Sequence, residues 1–188
     1  AMTSSADLRD GDAVLAVDPQ NDFCPGGALP VPEGDAVMPV LNDWMAAATD
    51  KGLPVYLSRD WHPINHLSFQ PEGGPWPVHC VQDTEGAAFH RDLRLPREAV
   101  IVTKGTRFDQ DQYSAFDQTG FAAELARRGV RRLWIGGLAQ DVCVRATALD
   151  ARKAGLEVRV LGAATRAISA ESGARTEAEL AEAGVELV

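Results

Sequence analysis

Short apolar segments rich in β-branched residues alternate along the chain with segments of helical periodicity. The predicted strands are Ala13–Val17, Leu53–Ser58, Ala99–Thr103, Arg132–Ile135, Val158–Leu161 and Val185–Val188. The predicted helices are Asp35–Thr49, Phe121–Arg128, Cys143–Ala154 and Gly173–Ala183. This alternation is typical of βαβ units, whose strands pair in parallel beneath covering helices. We therefore predict an α/β fold with three α/β/α layers and a mostly parallel sheet of about six strands.

The length and composition of the chain predict one domain over residues 1–188. Of these 188 residues, 45% are hydrophobic, which is enough for one sizeable core. Residues 1–10 are mostly small and polar, and we expect a flexible N-terminus there. The long segment 61–96 is rich in Pro, Gly and His, but its aromatic residues favour an ordered loop. No GxGxxG motif follows the first strand, so dinucleotide binding has no support.

The charge and the cysteines restrict the partners and the compartment. The formal net charge is −9 without a basic run, which disfavours nucleic acid and anionic membranes as partners. No apolar segment approaches the roughly 20 residues that cross a bilayer, and the N-terminus lacks the order of a signal peptide. Three cysteines fit free thiols in a reducing compartment. We expect a cytoplasmic protein that acts on a small molecule.

Four reactive side chains lie at the ends of four successive predicted strands. Asp18 ends the first strand, Asp60 closely follows the second, and Lys104 ends the third. Cys143 opens the helix after the fourth strand. Ligands of open α/β sheets bind at the carboxyl ends of the strands, so these side chains are predicted to share one crevice.

Cys143 is the candidate nucleophile. It lies in a glycine-containing turn from strand to helix, where the helix dipole favours a thiolate and backbone N–H groups can face an oxyanion. A carboxylate such as Asp18 can accept the thiol proton and return it to a leaving amine. We expect Lys104 to lower the pKa of both groups. For a cysteine alone, a buried structural role would be the better interpretation; the other two residues favour catalysis.

A second group of residues has the chemistry of a metal site. It comprises Asp60, His62 and His79, and one carboxylate with two imidazoles suits Zn, Fe or Mn alike. Alternate residues of an extended segment share a face, so Asp60 and His62 can point together. Packing of histidines against aromatic residues in the loop is the competing interpretation. His66 follows His62 at +4 and could supply another ligand, but a supporting position near the ligands or a role in the loop is the preferred interpretation.

The motifs that carry these residues resemble the nicotinamidase/pyrazinamidase branch of the isochorismatase-like hydrolases, over about residues 13–167. They are Asp18-Pro19-Gln20-Asn21-Asp22-Phe23, Asp60-Trp61-His62-Pro63, Trp76-Pro77-Val78-His79-Cys80-Val81, Lys104-Gly105, Tyr113-Ser114-Ala115-Phe116 and Gly137 to Val144. The resemblance implies an isochorismatase-like, Rossmann-like domain. The second and third motifs separate nicotinamidases from relatives without a metal.

The resemblance also implies roles for individual residues. The catalytic triad would be Asp18, Lys104 and Cys143, and the metal ligands would be Asp60, His62 and His79. The amides of Ala139, which follows a cis peptide in the family, and of Cys143 would form the oxyanion hole. Phe23, Trp76 and Tyr113 would surround the pyridine ring. The chain departs from the family at Gln140, where Thr is usual, and at Val142, where Tyr is frequent.

The function implied by the resemblance is hydrolysis of nicotinamide to nicotinate and ammonia in NAD salvage, with pyrazinamide as a second substrate. The cofactor would be one divalent metal ion, zinc before iron or manganese, and family members often form homo-oligomers. Two alternatives stay open at this point. One is a relative that hydrolyses another small amide or a vinyl ether; the other is a metal- or ligand-binding protein without catalysis.

Overall fold

A parallel sheet forms the centre of the protein, whose computed structural model describes residues 4–188. Within that range the strands are β1 (Asp12–Val17), β2 (Val55–Asp60), β3 (Val100–Lys104), β4 (Arg132–Leu138), β5 (Glu157–Arg166) and β6 (Glu186–Leu187). The α-helices are α1 (Val37–Asp50), α2 (Phe121–Arg127), α3 (Arg145–Lys153) and α4 (Ala170–Glu182). The strand order is β3-β2-β1-β4-β5-β6, and all five pairings are parallel. The predicted α/β class is confirmed.

Helices cover both faces of the sheet, which is why its central strands are apolar on both sides. Val14 and Ala16 of β1 pack in one core with Leu41 of α1. The intervening residue Leu15 packs in a second core with Leu125 of α2. Each of these side chains is buried. A strand buried on both faces reads as a continuous apolar run instead of an alternating one.

Three strands extend at least two residues further than the sequence pattern predicts: β2, β5 and β4, which ends at Leu138 instead of Ile135. β2 ends at Asp60, because that residue still pairs with Lys104 of β3. β5 continues to Arg166, past the predicted end at Leu161, because a bulge in the β4–β5 ladder lets Thr165 pair with Gly137. The small residues of this extension carry no β pattern in the sequence.

The helix predicted to begin at Cys143 begins later. A five-residue π-helical turn, Gln140–Val144, precedes α3, so the cysteine lies in the turn and not at the first helical position. α4 begins at Ala170 instead of Gly173, because the Ser169 hydroxyl accepts a hydrogen bond from the backbone N–H of Ser172 and caps the helix.

The N-terminal segment packs against α1, and the long loop 61–96 contains buried residues of its own. Residues 4–10 contain the short turn Ser5–Asp7 and the buried Leu8; residues 1–3 of the predicted flexible terminus lie outside the described residues. The loop 61–96 contains the short turns Gln70–Glu72 and Glu85–Ala87 and the buried Phe69. Across residues 4–188, no helix is long and apolar enough to cross a membrane.

Candidate active site

The sheet brings Asp18, Lys104 and Cys143 together, as the strand ends predict. Lys104 Nζ lies 2.8 Å from Asp18 Oδ2 and 3.6 Å from Cys143 Sγ. All three side chains are buried. The carboxyl ends of β1, β3 and β4 therefore supply a carboxylate, an ammonium and a thiol to one point.

The backbone at the end of β1 aims the carboxylate of Asp18 into the site. Asp18 has a φ of 46°, in the left-handed region that most residues avoid, so the chain turns sharply there. The Ser58 hydroxyl donates to Asp18 Oδ1 at 2.7 Å, and the Asp18 backbone N–H donates to the Ser58 carbonyl at 3.1 Å. Ser58 thus fixes the carboxylate oxygen that Lys104 leaves free.

The turn that holds Cys143 depends on a close approach between β4 and β1. Gly137 has a φ of 116°, and a Cβ atom there would overlap the backbone of Val17. A cis peptide bond joins Leu138 to Ala139. The side chain of Gln140, where the family usually has Thr, points toward α4. A Cβ atom at Gly173 of that helix would lie 3.0 Å from Gln140 Oε1.

Burial controls the protonation of Cys143, the candidate nucleophile. It raises the pKa of the Cys143 thiol well above its ordinary value, while Lys104 opposes this shift and Asp18 adds to it. Burial also raises the pKa of Asp18, again against the effect of Lys104. Lys104 therefore acts on both pKa values in the expected direction, but desolvation is the larger effect. Burial thus favours the protonated forms of the Cys143 thiol and the Asp18 carboxyl.

Asp60, His62 and His79 also converge. Asp60 Oδ2 lies 3.5 Å from His62 Nε2 and 3.9 Å from His79 Nε2. Burial would raise the pKa of Asp60, but the charge of Lys104 is the largest of the opposing effects, and the pKa of Asp60 is lowered. The carboxylate therefore stays ionised beside the two imidazoles.

The hydrogen bonds of the two imidazoles fit a bound cation. His62 Nδ1 lies 2.7 Å from the Gly105 carbonyl oxygen, and His79 Nδ1 lies 2.8 Å from that of Pro77. A carbonyl only accepts, so each Nδ1 carries a proton, and each ring, when neutral, turns the lone pair of Nε2 toward Asp60. Two ligands about 2.1 Å from a tetrahedral ion would lie roughly 3.4 Å apart, close to the spacings found here.

His66 supports this group from the side. Its ring stacks on that of His62 with a centroid distance of 4.1 Å, and its Nδ1 lies 2.7 Å from Ser68 Oγ. His66 Nε2 is buried and has no hydrogen-bond partner within residues 4–188. The placement agrees with the expected supporting position.

Cys143 and the cluster of Asp60, His62 and His79 line one cleft that opens to solvent, whereas Asp18 and Lys104 are not among its lining residues. Its walls include Asp60, His62, His79, Cys143, Ala139, Phe23, Trp76 and Tyr113. Trp76 Nε1 donates to the Tyr113 hydroxyl at 3.0 Å, which links two of the predicted ring-binding residues. The family departure at Val142 also lines the cleft, next to the nucleophile.

Two residues of the site carry no signal that identifies them in the sequence. Gln112 accepts a hydrogen bond from the Gly105 N–H at 3.0 Å and donates to the Asp117 carbonyl at 2.6 Å. The Ser58 hydroxyl donates a hydrogen bond to Asp18, which lies 40 positions earlier in the chain. Both contacts depend on the tertiary fold, and only the proximity of Gln112 to Lys104-Gly105 could have drawn attention to it.

Comparison with known proteins agrees with this geometry. Residues 12–188 match the isochorismatase domain. The nicotinamidase of Escherichia coli is 38% identical over 198 residues, covering 93% of each chain. The pyrazinamidase of Pyrococcus horikoshii in complex with zinc is 47% identical with a TM-score of 0.92, covering 95% of this chain and 98% of that one. The PnC1 of L. infantum in complex with nicotinate is 38% identical with a TM-score of 0.87, covering 100% and 95%. In sequence and in structure, the chain therefore belongs to the isochorismatase family.

Proposed function

We propose that this protein is a nicotinamidase, which converts nicotinamide to nicotinate and ammonia in NAD salvage, with pyrazinamide as a second substrate. The observation that carries the proposal is that one cleft contains both the Cys143 thiol and the cluster of Asp60, His62 and His79. Relatives named as nicotinamidases or pyrazinamidases, 38–47% identical over nearly the full length, support the same activity.

Zinc is the proposed cofactor, and Asp60, His62 and His79 are its proposed ligands. The related pyrazinamidase of Pyrococcus horikoshii was solved in complex with zinc. Each imidazole donates its Nδ1 proton to a backbone carbonyl, so the neutral rings turn their Nε2 lone pairs toward Asp60 Oδ2, which supports a cation at that point. When bound, zinc would supply a Lewis-acidic position for the ring nitrogen of the substrate, directly or through a water.

In the first half of the proposed reaction, Asp18 removes the proton of Cys143 as the sulfur attacks the carboxamide carbon. Lys104 stays positively charged beside both groups and offsets the charge that develops on the thiolate. The backbone N–H groups of Ala139 and Cys143 stabilise the oxyanion, an interaction worth roughly 3 kcal/mol per donor. The C–N bond then breaks, and ammonia leaves with the proton that Asp18 returns.

In the second half, water replaces ammonia and hydrolyses the thioester. Asp18 accepts a proton from the attacking water, the C–S bond breaks, and the proton returns to Cys143. Phe23, Trp76 and Tyr113 hold the pyridine ring during both halves, and their apolar surfaces exclude bulk water from the thioester. One group, Asp18, thus acts alternately as base and acid, which a pKa raised by burial favours.

We propose a single catalytic domain over residues 1–188 that works in the cytoplasm, and self-association as in members of the family. The net charge of −9 without a run of Lys or Arg in the sequence disfavours nucleic acid and anionic membranes as partners.

Ammonia release from nicotinamide tests the proposal. Wild-type protein is expected to release ammonia, to lose this activity on treatment with a chelator, and to regain it with added zinc. Cys143→Ala should lose all turnover and still bind nicotinamide. Cys24→Ala is the matched control, because Cys24 is a buried thiol outside the cleft whose pKa is raised to about 12 by burial.

The outcomes separate the alternatives. Zinc-loaded, folded protein that releases no ammonia from nicotinamide would reject the proposal in favour of another small amide or a vinyl ether. Turnover by Cys143→Ala at the wild-type rate would reject covalent catalysis. Nicotinamide binding without any ammonia release would point to a binding protein.

A further inference from the structure

The end of β2 extends beyond its main-chain pairing with β1. The register between the two strands ends with Ala16 opposite Leu57, followed by one hydrogen bond from the Asp18 N–H to the Ser58 carbonyl. The chain then turns away at Asp18. On its other edge, β2 still pairs with β3 through Asp60. Asp60 therefore needs a different partner on the β1 side.

The side chain of Gln20 is that partner. Its Oε1 accepts from the Asp60 backbone N–H at 2.9 Å, and its Nε2 donates to the Asp60 carbonyl at 2.8 Å. The second proton of Nε2 goes to the Ala87 carbonyl at 2.9 Å. Gln20 is fully buried. The side-chain amide of Gln20 thus makes the two hydrogen bonds that a neighbouring strand would make to Asp60. Its third hydrogen bond, to Ala87, connects the loop 61–96 to the end of β2.

The carboxylate of Asp60 has two separate duties that depend on its orientation. Its Oδ1 accepts from Lys104 Nζ at 2.6 Å, and its Oδ2 faces the Nε2 atoms of His62 and His79. A rotation of the Asp60 backbone would move both oxygens at once. The backbone bonds from Gln20 oppose such a rotation.

We propose that Gln20 is a positioning residue, which holds the backbone of Asp60 so that its carboxylate faces the two histidines in the geometry that a divalent metal requires. Gln20 itself touches neither substrate nor metal, and it acts through Asp60. The proposal rests on the proposed metal site of the nicotinamidase. It names a residue whose loss weakens metal binding from outside the set of ligands.

The amide chemistry at position 20 is specific. An apolar side chain of the same length makes none of the three hydrogen bonds. A glutamate keeps an acceptor for the Asp60 N–H, but once ionised it donates to neither carbonyl. Asparagine is one methylene shorter and cannot reach both sides of Asp60. Gln20→Met and Gln20→Glu are therefore graded changes, the first removing every bond and the second two of three.

Metal affinity measures the effect without relying on turnover. Apo protein would be titrated with Zn²⁺ against a chromophoric chelator, and with Co²⁺ while the visible spectrum is recorded. Gln20→Met is expected to weaken Zn²⁺ binding about 10–100-fold and to change the Co²⁺ spectrum. Gln20→Glu should lie between Gln20→Met and the wild type.

Asn42→Leu is the matched control. Asn42 is also an amide that braces a loop, since it donates to the Asp92 carbonyl at 2.8 Å and accepts from the Arg94 N–H at 2.7 Å. It lies on α1 and does not line the cleft. Its substitution should reduce stability and leave Zn²⁺ affinity and the Co²⁺ spectrum unchanged.

Zn²⁺ affinity within twofold of the wild type in both Gln20 variants would overturn the proposal. If Gln20→Met does not fold, the affinity of Gln20→Glu decides alone. Equal losses of affinity in the Gln20 and Asn42 variants would also overturn it, because the effect would then be one of general stability. Wild-type protein that binds Zn²⁺ but does not hydrolyse nicotinamide would reject the proposed function alone.

Discussion

Lys104 donates a hydrogen bond of 2.6 Å to Asp60, and its ammonium thereby joins the Cys143 thiol to the histidine cluster. The same ammonium lies 2.8 Å from Asp18, so a single positive charge is shared by two carboxylates. Burial opposes the charge on Lys104, but the two carboxylates outweigh it and raise its pKa well above the usual value. The two halves of the site therefore form one electrostatic unit.

Replacing this ammonium should damage stability and activity together. Lys104→Met keeps most of the volume and leaves two buried carboxylates without their cation, at a cost of about 3–5 kcal/mol in the free energy of unfolding. Turnover of nicotinamide should be lost. Urea unfolding and ammonia release are the measurements.

Lys51→Met is a suitable control for that prediction. Lys51 donates to three backbone carbonyls, those of Ser5, Ala6 and Leu8, but it lies at the surface. The variant should unfold within about 1 kcal/mol of the wild type and keep full activity. If Lys104→Met is as stable as Lys51→Met, the charge of Lys104 does not stabilise the two buried carboxylates, and the site is not one electrostatic unit.

Gly105 gives the His62 ring its space. A Cβ atom at position 105 would lie 2.5 Å from His62 Cε1, and the φ of 74° disfavours any side chain there. Gly105→Ala should therefore displace the imidazole and weaken Zn²⁺ binding about 10–100-fold. Competition with a chelator measures this loss.

Gly52→Ala separates the two effects expected of Gly105→Ala, which are the strain of a side chain on a left-handed backbone and the clash with the His62 ring. Gly52 has a similar φ of 70°, but a Cβ there meets no atom within 4 Å. Both variants should lose roughly 1–2 kcal/mol of stability from the left-handed backbone, and Gly52→Ala alone should keep the Zn²⁺ affinity of the wild type. Unchanged affinity in Gly105→Ala would show that His62 can move without consequence.

The strand ends were predictable from the sequence because the rule behind them is topological. Asp18 and Lys104 follow apolar runs that read as strands, and parallel strands end at one edge of a sheet. Asp60 was expected just after its strand and proved to be its last residue. Errors of one or two residues in a boundary do not change which edge a side chain reaches.

The supporting hydrogen bonds could not be predicted in the same way. Ser58 lies in no motif, and the motif that contains Gln20 does not reveal its hydrogen-bond partners, which are fixed only when the strands assemble. The direction of the Cys143 pKa shift was also missed. Sequence indicates that a lysine is near, but not that burial outweighs its charge. The π-helical turn Gln140–Val144 follows no residue preference that the sequence displays.

A buried ion pair at the other end of the sheet should make stability depend on acid. Arg132 donates two hydrogen bonds of 2.7 Å to the carboxylate of Asp12, and the Arg9 N–H donates a third at 2.9 Å. Burial alone would raise the pKa of Asp12, but these bonds outweigh it and lower that pKa. The folded state therefore binds this proton less tightly than the unfolded chain.

The lowered pKa of Asp12 determines how the free energy of unfolding changes with pH. The stabilisation is complete above the unfolded pKa of about 3.9 and is lost as the pH falls through the folded value. Asp12→Asn should cost about 2 kcal/mol at neutral pH and flatten the decline of stability between pH 5 and pH 2. Urea unfolding across that range measures both.

The exposed pair of Arg175 and Glu171 is the control for this prediction. Its two side chains are 70% and 83% exposed, so Glu171→Gln should change stability by less than about 1 kcal/mol at any pH. An acid dependence in Asp12→Asn identical to that of the wild type would assign the effect to other carboxylates.

The pair of Trp76 and Tyr113 should control substrate binding more than the chemical step. Tyr113→Phe removes the acceptor of the Trp76 N–H, and a neutral hydrogen bond of about 0.5–1.5 kcal/mol corresponds to a rise in KM of roughly 2- to 13-fold. Trp76→Ala removes a wall of the cleft, and its KM should rise further while kcat stays closer to that of the wild type. Phe108→Ala is the control, because Phe108 is 71% exposed and does not line the cleft. Steady-state kinetics with nicotinamide test all three variants. A fall in kcat at constant KM in Trp76→Ala would show that Trp76 acts in the chemical step and not in ring binding.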